Sequence, residues 1–278
     1  MAKLRCGRFE LSLDRPLVMG IVNLTPDSFS GDGLVGDVDQ AIRHAREQFE
    51  AGSDILDIGA ESSRPGAIPT PEDEELRRLL PVLREITTWG VPVSVDTYKP
   101  AVMRAALAAG ASMINDITGM TDPRALAAVA ESDCAVCVMH MKGEPGTMQQ
   151  APAYDDVVAE VGDFLRAAVA RCRDAGVAGD RLVVDPGFGF GKTLDHNFAL
   201  FRALTVAFAP DLPVLVGVSR KTMLGAITGR PVEQREAASV AAALLAAQKG
   251  AKILRVHDVA ATRDALAVWA AIEQGSKQ

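Results

Sequence analysis

The stretch VPVSVDTYKPAVMRAALAAGASMIND, residues 91–116, contains the structural unit from which the fold can be inferred. It opens with the short apolar run 91–95, which is typical of a buried strand. A segment with helical spacing follows, with Pro100 in its first turn and Gly110 just after its last residue. Proline suits the start of a helix and glycine suits its end. A second apolar run, 111–114, then completes a predicted strand–helix–strand unit.

This unit recurs along the chain. Eight short apolar runs end in polar or glycine-rich turns, at residues 17–22, 54–58, 91–95, 111–114, 135–139, 181–184, 213–218 and 251–256. Helical spacing lies between them, in segments that span 37–49, 99–109, 155–175, 195–208, 233–249 and 260–273. Two further helices are expected to begin at Thr70, as an N-cap followed by Pro71, and at Asp122. Eight strands that alternate with eight helices in 278 residues predict a single (β/α)₈ TIM barrel. An open, doubly wound sheet is the alternative, although it rarely needs eight strands at this length.

The first residues lie outside this repeat. Between Leu4 and Leu13, apolar and polar residues alternate, which predicts a short N-terminal β-hairpin that closes the barrel floor. No change in composition indicates a linker between domains. We therefore expect one domain over residues 1–278, with the hairpin in 1–15 and the barrel in 16–275.

Composition and charge exclude several classes of protein. The chain is 48% hydrophobic and 23% charged, which is ordinary for a globular domain and argues against disorder. A formal net charge of −7 disfavours general nucleic-acid binding but leaves room for a local cationic site. No run approaches ~20 consecutive apolar residues, so we expect no membrane span. The N-terminal residues lack the apolar core of a signal peptide, which predicts a cytoplasmic protein.

Two of the four cysteines, Cys134 and Cys137, have the CxxC spacing that is typical of some redox and zinc sites. They lie in the apolar run CAVCVM, which predicts a strand. Strand side chains three residues apart point to opposite faces, so these thiols cannot readily share a metal or form a disulfide. No second pair with this spacing is present in the sequence to complete a zinc site. We therefore expect buried, structural cysteines.

Polar residues stand at or just after the ends of all eight predicted strands. They are Asn23, Asp57, Asp96, Asn115, Asp116, His140, Asp185, Ser219, Arg220, Lys221, Arg255 and His257. The carboxyl ends of barrel strands carry the active site, so these side chains predict one site at one rim. Its carboxylates and amides suit a neutral heterocycle with several hydrogen-bond donors and acceptors. Its cations, concentrated after the last two strands and joined by Arg64, suit a phosphate.

The glycine-rich stretch DPGFGFGKT, residues 185–193, is similar to nucleotide-binding loops but matches neither of their patterns. The Walker pattern needs a glycine where Pro186 stands. The dinucleotide pattern needs a third glycine in place of Lys192. We therefore expect a tight loop that lets a flat ligand approach the backbone.

Two long loops follow the first two predicted strands. Residues 25–33 and 59–67 combine glycine, proline and hydroxyl side chains, and they include Phe29 and Arg64. Since both loops follow strand ends at the same rim, we expect them to close over a bound substrate.

Eight motifs, taken together, are similar to those of one known family. They are MGIVNLTPDSFS (19–30), DIGAESSRPG (57–66), VDT (95–97), IND (114–116), VMH (138–140), DPGFGFGK (185–192), SRK (219–221) and RVH (255–257). They occur in order, one at each predicted strand end. The chain thereby resembles the dihydropteroate synthases, folate-pathway enzymes with a pterin-binding barrel fold.

The resemblance implies that 6-hydroxymethyl-7,8-dihydropterin diphosphate and para-aminobenzoate are joined to give 7,8-dihydropteroate and diphosphate. Carried over by motif, the pterin-binding residues are Asp96, Asn115, Met139, Asp185, Phe190, Lys221 and Arg255. The diphosphate would be held by Asn23, Ser63, Arg255 and His257, with Asn23 also meeting a Mg²⁺ ion. Para-aminobenzoate would be held by Phe29, Ser63, Arg64, Pro65, Ser219, Lys221 and Thr222. The residues expected to take part in catalysis are Asp96, Lys221, Arg255, His257 and Asp32.

The residue types agree with this implied reaction. Charge that develops on the departing diphosphate would meet Mg²⁺, Arg255 and His257 in a closed site. The dihydropterin can share the positive charge left on its exocyclic carbon, which favours a dissociative, SN1-like step without a side-chain nucleophile. A helix that starts near Lys221 would offer backbone N–H groups to the aminobenzoate carboxylate.

The sequence departs from the family pattern at two places. Ser63 stands where the family usually has threonine, so a hydroxyl is kept and a methyl group is lost. We expect an effect on packing and on inhibitor affinity. The first loop has the order Ser-Gly-Asp-Gly instead of Ser-Asp-Gly-Gly, which shifts the register of Asp32. Phe29 and Pro65 keep the form of sulfonamide-sensitive members, so sulfonamides are expected inhibitors.

Three other functions share part of this pattern. A methyltetrahydrofolate methyltransferase would use the same pterin contacts but should lack the SRPG loop and the SRK turn. A catalytically silent paralogue would only bind pterins, which the intact Arg255 and His257 disfavour. A Schiff-base aldolase needs a lysine within a barrel strand, whereas Lys221 lies beyond one. The resemblance also implies a homodimer, and the apolar segments 237–247 and 260–272 would suit its interface.

Overall fold

A computed structural model of the chain describes residues 2–25, 38–64, 66–204, 208 and 211–274. Its strands are β1 (Lys3–Cys6), β2 (Phe9–Ser12), β3 (Leu17–Asn23), β4 (Ile55–Gly59), β5 (Val93–Asp96), β6 (Met113–Asp116), β7 (Ala135–Met139), β8 (Leu182–Asp185), β9 (Leu215–Val216) and β10 (Ile253–Val256). Its helices are α1 (Val38–Glu50), α2 (Glu72–Ile86), α3 (Pro100–Ala108), α4 (Pro123–Ala130), α5 (Val157–Asp174), α6 (Leu194–Arg202), α7 (Thr222–Thr228), α8 (Glu236–Gln248) and α9 (Val259–Gln274).

Strands β3 to β10 form one parallel sheet in the order β8-β7-β6-β5-β4-β3-β10-β9. The two ends of this order meet through a parallel bridge between Val184 and Val214. There the N–H of Val184 donates to the carbonyl of Pro213 at 3.1 Å. The sheet is thus closed, and helices pack against its outer face. This arrangement confirms the predicted (β/α)₈ barrel and excludes the open sheet.

Each predicted apolar run overlaps one strand of the barrel, and several strands extend one or two residues beyond the run. Strands β4, β6, β7 and β8 are buried at every position. A parallel barrel strand faces packed side chains on the inside and helices on the outside, so both of its faces must be apolar. This is why the runs are continuous and do not alternate.

Most helices begin and end near the predicted positions. Helix α4 begins after the expected cap, Asp122, whose carboxylate accepts a backbone N–H of the first turn at 2.8 Å. Helix α2 differs, because it begins at Glu72 with Pro71 and not Thr70 as its N-cap. The backbone of Thr70 is engaged elsewhere, since its carbonyl accepts a hydrogen bond from Lys99 Nζ at 2.7 Å. Among the described residues, no helix has the length and apolar character needed to cross a bilayer.

Strands β1 and β2 form the predicted antiparallel hairpin. Gly7 lies in its turn with a φ of 58° and donates its N–H to a carbonyl before β7 at 3.0 Å. The carbonyl of Leu13 accepts from Lys252 Nζ at 3.0 Å, so both ends of the hairpin are attached to the barrel. Leu4 is 1% exposed and packs against side chains in the barrel interior. The hairpin therefore closes the amino-terminal end of the barrel.

The four cysteines are free and buried. Cys134 packs in the layer between sheet and helices, whereas Cys137 lies in the barrel interior. Burial raises the pKa of both thiols. The CxxC pair therefore faces two sides of the sheet, and the expectation of structural cysteines is confirmed.

Replacing Leu4 with alanine should lower the free energy of unfolding by about 2–4 kcal/mol, because it leaves a cavity between the hairpin and the barrel interior. Leu11→Ala is the matched control, since the side chain of Leu11 in the same hairpin is only partly buried. The control should cost about 1 kcal/mol. Urea denaturation followed by circular dichroism measures both values. Equal losses would contradict the role of Leu4 in closing the barrel.

Candidate active site at the carboxyl end of the barrel

The carboxyl ends of the strands, called the rim below, bring the predicted polar residues together. Asn23 at the end of β3 and Asp96 at the end of β5 both pair with Gly59 of β4, from its two sides. Asp96 pairs in turn with Asn115 of β6. The closed parallel register therefore lines up residues that lie far apart in the sequence along one continuous edge.

Arg255 of β10 is the centre of the charged part of the rim. Its Nε donates to Asp57 Oδ2 at 2.6 Å, and its Nη2 donates to Asp96 Oδ2 at 2.8 Å. Asp57 is fully buried, while the side chain of Arg255 keeps 19% exposure. Since β3 lies between β10 and β4 in the sheet, the arginine side chain crosses the barrel interior to reach both carboxylates.

Asp57 belongs to the predicted ring of strand-end residues, but the motif comparison assigns it no role. Its position in the structure gives it one, because it holds the guanidinium of Arg255 in place. Asp57 Oδ1 has no hydrogen-bond partner within the described part of the chain. The signal in the sequence is a carboxylate inside the otherwise apolar strand ILDIG.

The carboxylates and the cation change one another's pKa values. Burial raises the pKa of Asp96 to about 7, against the attraction of Arg255 and with a further contribution from Asp57. Burial also works against the charge of Arg255, but the two carboxylates hold the pKa of its guanidinium above the ordinary value. Arg255 therefore stays a cation, whereas Asp96 can change its protonation state near neutral pH.

Two further ionisable groups of the rim, Asp185 at the end of β8 and Lys221 after β9, influence each other electrostatically. Lys221 Nζ donates to the carbonyl of Phe188 at 2.5 Å and lies 4.6 Å from the centre of the Phe190 ring. Burial lowers the pKa of Lys221 to about 8, and Asp185 opposes this shift. Asp185 Oδ1 accepts the N–H of Gly187 at 2.7 Å, and burial raises the pKa of its carboxyl group. An acid, a cation and an aromatic ring thus form one wall suited to a flat polar ligand.

The glycine-rich loop after β8 folds tightly against the end of β7. A Cβ atom on Gly187, whose φ is 68°, would lie 1.9 Å from the carbonyl oxygen of His140. Lys192 Nζ lies 2.9 Å from His140 Nδ1 and donates to the carbonyls of Gly187 and Phe190 at 2.9 and 3.0 Å. Burial lowers the pKa of Lys192 to about 7. The lysine of this loop therefore holds the loop's own shape, which agrees with a tight loop and not with a Walker-type phosphate site.

His257 lies next to Ser219 in the part of the rim predicted to bind phosphate. Its Nδ1 is 3.0 Å from Ser219 Oγ, and that oxygen accepts the backbone N–H of His257 at 3.2 Å. Burial lowers the pKa of His257 to about 3, and neighbouring guanidinium groups, including those of Arg220 and Arg64, lower it further. The imidazole is therefore neutral at pH 7. In the tautomer whose Nδ1 accepts from the Ser219 hydroxyl, the N–H on Nε2 is free to bind an anion.

Arg220 fixes the turn between Ser219 and Lys221. Its backbone has a φ of 58°, a conformation that is costly for a residue other than glycine. Its side chain is paired with Asp258 (Nε to Oδ2, 3.2 Å), and its N–H donates to Ser239 Oγ at 2.9 Å. These contacts maintain the strained turn, which directs Ser219 and Lys221 to the site.

The other predicted residues fall into three groups. Asn115 and Met139 are buried at the rim, and Asn115 Oδ1 has no hydrogen-bond partner among the residues that the structure describes. Three residues lie at partly or fully exposed positions outside the buried ring: Ser63, Arg64 and Thr222. Three residues lie outside the described part of the chain: Phe29, Asp32 and Pro65.

The sequence profile of pterin binding enzymes matches residues 19–257 of the chain. A dihydropteroate synthase of Neisseria meningitidis serogroup C is 50% identical over 273 residues, which are 96% of this chain and 96% of that protein. The crystal structure of the Burkholderia cenocepacia dihydropteroate synthase complexed with 7,8-dihydropteroate has a TM-score of 0.89 at 53% identity, over 100% of this chain and 98% of that one. The Yersinia pestis dihydropteroate synthase in a sulfonamide drug complex has a TM-score of 0.93 at 45% identity, with 98% and 100% covered.

The raised pKa of Asp96 predicts a pH-dependent contribution to stability. Between the ordinary value of 3.8 and about 7, the folded protein holds a proton that the unfolded chain has released, so the free energy of unfolding falls as the pH rises. Asp96→Asn removes this loss. As the pH rises across that range, the free energy of unfolding of the variant should therefore increase relative to that of the wild type by roughly 1–3 kcal/mol. Urea denaturation at several pH values measures the difference. Asp174→Asn, at an exposed position in α5, should not show this trend. A flat difference for Asp96→Asn would contradict the raised pKa.

Proposed function

The chain belongs to the pterin binding enzyme family, and we propose that it catalyses the dihydropteroate synthase reaction. In this reaction, 6-hydroxymethyl-7,8-dihydropterin diphosphate and para-aminobenzoate give 7,8-dihydropteroate and diphosphate. The observation that carries the proposal is the position of Arg255, which joins two carboxylates on one side and stands two residues before His257 on the other. The rim thus offers acceptors for a pterin beside donors for a diphosphate. A methyltransferase would not need the donors for a diphosphate.

The pterin would bind among the buried polar side chains of the rim. Asp96, Asn115 and Asp185 offer acceptors for the ring N–H and amino groups, since a carboxylate can accept two hydrogen bonds from an aminopyrimidine edge. Asn115 Oδ1 is buried without a partner among the described residues, which costs about 1–3 kcal/mol until a ligand donates to it. Lys221, whose charge is opposite to that of the carboxylates, offers a hydrogen-bond donor to the pterin. The ring would lie against Met139 and Phe190, with the guanidinium of Arg255 over one face.

The diphosphate would bind where the cations approach the end of β3. The guanidinium of Arg255 has five N–H donors, and the hydrogen bonds to Asp57 and Asp96 leave others for an anion. His257 adds the N–H on its Nε2 atom. Ser63 adds a hydroxyl from the second loop. These donors suit an anion with many acceptor oxygens.

We also propose that Mg²⁺ accompanies the diphosphate. Within the described ranges, no group of three or more His, Cys, Asp or Glu side chains is suited to hold a metal. Mg²⁺ commonly takes one or two protein ligands and completes its coordination with waters and substrate phosphates. The carboxamide oxygen of Asn23 fits such a site, because it is a hard oxygen ligand at the rim. The ion, when bound, would neutralise charge on the departing diphosphate.

The chain's own groups can promote departure of the diphosphate. The bond between the exocyclic carbon and the diphosphate oxygen breaks, both electrons leave with the oxygen, and Arg255 and His257 stabilise the new charge by hydrogen bonds. The electron-rich dihydropterin shares the positive charge left on carbon, so the step is dissociative and SN1-like. Asp96, whose pKa is about 7, can accept a hydrogen bond or a proton from the ring. The amine of para-aminobenzoate then bonds to the carbon and loses one proton.

Para-aminobenzoate would bind between the second loop and the turn that precedes α7. Ser63 and Arg64 approach from the loop, and Ser219, Lys221 and Thr222 from the turn. Phe29 and Pro65 would complete this half on the motif comparison, and Asp32 would add a catalytic carboxylate from the first loop. Sulfonamides would compete for the same place. The methyl group that Ser63 lacks would change the affinity of these inhibitors through packing alone.

A cytoplasmic location and small-molecule substrates fit the chain's chemistry. All four cysteines are free thiols, which persist in reducing compartments. The net charge of −7 opposes binding of a nucleic acid. The enzyme would therefore meet its two substrates as soluble metabolites.

A homodimer would form through α8 and α9. These helices pack side by side, and both carry large apolar side chains in contact with solvent. Leu245 of α8 is 52% exposed, and Val268 and Ile272 of α9 are 60% and 75% exposed. Burial of such side chains against a second copy removes apolar area from water and favours association.

The purified protein should form 7,8-dihydropteroate only when both substrates and Mg²⁺ are present, as followed by mass spectrometry together with diphosphate release. Arg255→Met should lower kcat/KM by about 10²-fold or more, because it removes donors that stabilise the departing charge. Arg263→Met, on α9 and paired with Asp54, is the matched control and should keep wild-type kinetics. Pterin binding without turnover would favour the silent paralogue. Absence of pterin binding would contradict the proposed function altogether.

The double substitution Val268→Glu and Ile272→Glu should convert a dimer to monomers, because it places charges in the proposed interface. Sedimentation velocity measures the change. Ile68→Glu adds a charge at an exposed apolar side chain just after the second loop and should leave the dimer intact. A wild-type protein that sediments as a monomer would refute the interface.

A further inference from the structure

Lys99, which precedes α3, is the centre of a buried ionic cluster outside the proposed chemistry. Its Nζ contacts Glu61 and donates to Glu75 Oε2 at 2.6 Å and to the carbonyl of Thr70 at 2.7 Å. The side chains of Lys99, Glu61 and Glu75 are 14%, 10% and 1% exposed. Each of the three N–H donors of the ammonium group therefore has its own acceptor.

Glu61 accepts hydrogen bonds on both carboxylate oxygens. Oε2 faces Lys99, whereas Oε1 accepts the Tyr98 hydroxyl at 3.0 Å and the N–H of Thr70 at 3.1 Å. Thr70 is thus held by both of its backbone groups, the N–H by Glu61 and the carbonyl by Lys99. No single oxygen could serve all three donors in this geometry.

These contacts join the two ends of the connection between β4 and α2, which contains most of the second loop. Glu61 follows β4, and Thr70 precedes α2, so the segment between them leaves and returns at the same ammonium group. Ser63 and Arg64 lie in this segment. Farther along, Gly66 donates its N–H to the carbonyl of Pro145 at 3.0 Å, which attaches the loop to the one after β7.

The two carboxylates of the cluster differ in what they hold. Burial raises the pKa of Glu75, which lies on α2 and not on the loop. Burial works against the charge of Lys99, yet its hydrogen bonds to Glu61 and Glu75 raise the pKa of its ammonium group. Glu75 accepts from Lys99 through Oε2 alone, and its Oε1 has no hydrogen-bond partner among the described residues. An amide at position 75 can therefore keep the contact to Lys99, whereas Glu61 uses both oxygens as acceptors.

We propose that Glu61 and Lys99 are positioning residues for the para-aminobenzoate half of the site, because they fix the base of the second loop and thereby the direction of Ser63 and Arg64. The identity of the substrate rests on the proposed function. The loop geometry does not.

Glutamine substitution separates the two carboxylates. At position 61, the new amide N–H₂ group must face either Lys99 or the N–H of Thr70, so one set of contacts is lost. Glu61→Gln should therefore raise KM for para-aminobenzoate about tenfold, while KM for the pterin diphosphate and kcat change less than about threefold. Glu75→Gln is the matched control, since its amide oxygen can still accept from Lys99, and it should keep all three constants.

Hydrogen exchange of the whole protein, measured by mass spectrometry, tests the same point without an activity assay. Peptides that cover residues 62–69 should exchange faster in Glu61→Gln than in the wild type or in Glu75→Gln, while peptides from the barrel strands stay unchanged. If Glu61→Gln does not fold, Tyr98→Phe removes one donor from Glu61. Tyr98→Phe should raise KM for para-aminobenzoate and the exchange rate of residues 62–69 by about threefold each.

Equal KM values for para-aminobenzoate in the two glutamine variants would overturn the inference, because the cluster would then act only on the fold. Unchanged exchange of residues 62–69 in Glu61→Gln would overturn it as well. A wild-type protein that makes no dihydropteroate would instead overturn the proposed function. The exchange comparison would then decide the positioning role by itself.

Discussion

The guanidinium of Arg255 lies in a buried rim between Asp57 and Asp96, and these carboxylates could not be kept there without it. Removing a carboxylate from water costs several kcal/mol, and an ion pair offsets this only when the geometry is good. Arg255 meets that condition by reaching across the barrel interior from β10 to β4 and β5. The charged rim therefore depends on a sheet that is closed and in correct register, and the hydrogen-bonding surface for a pterin depends on the rim.

Burial moves the titrating groups of the rim toward neutral charge. It raises the pKa of Asp96 to about 7, lowers that of Lys221 to about 8 and lowers that of His257 to about 3. The rim thus combines a neutral imidazole with an acid and an amine that titrate near neutral pH, and such groups can recognise a heterocycle by hydrogen bonds. Arg255 remains a cation throughout, and it is placed where an anionic leaving group would need one.

Much of the fold could be predicted from local sequence signals, because each of these signals has a direct physical cause. The continuous apolar runs marked the strands, since parallel barrel strands are covered on both faces. The prediction that Thr70 caps a helix is wrong because its backbone is bound by Lys99 and Glu61, a contact that no local pattern reveals. The sequence indicates only that Lys192 lies in a loop, whereas in the structure it holds that loop together. The roles assigned to Phe29, Asp32 and Pro65 stay predictions.

The strand and helix pattern can be predicted from local sequence signals, and with it the barrel and the set of polar residues at the strand ends. These features depend on periodicity and on short-range punctuation, which are visible along the chain. Which of those residues meet depends on the folded structure. Arg255 and Asp57 are 198 positions apart, and Lys99 and Glu61 are 38 apart. Their contacts, and the pKa values that follow from them, arise from burial and distance in three dimensions, because charges interact through space and not along the chain.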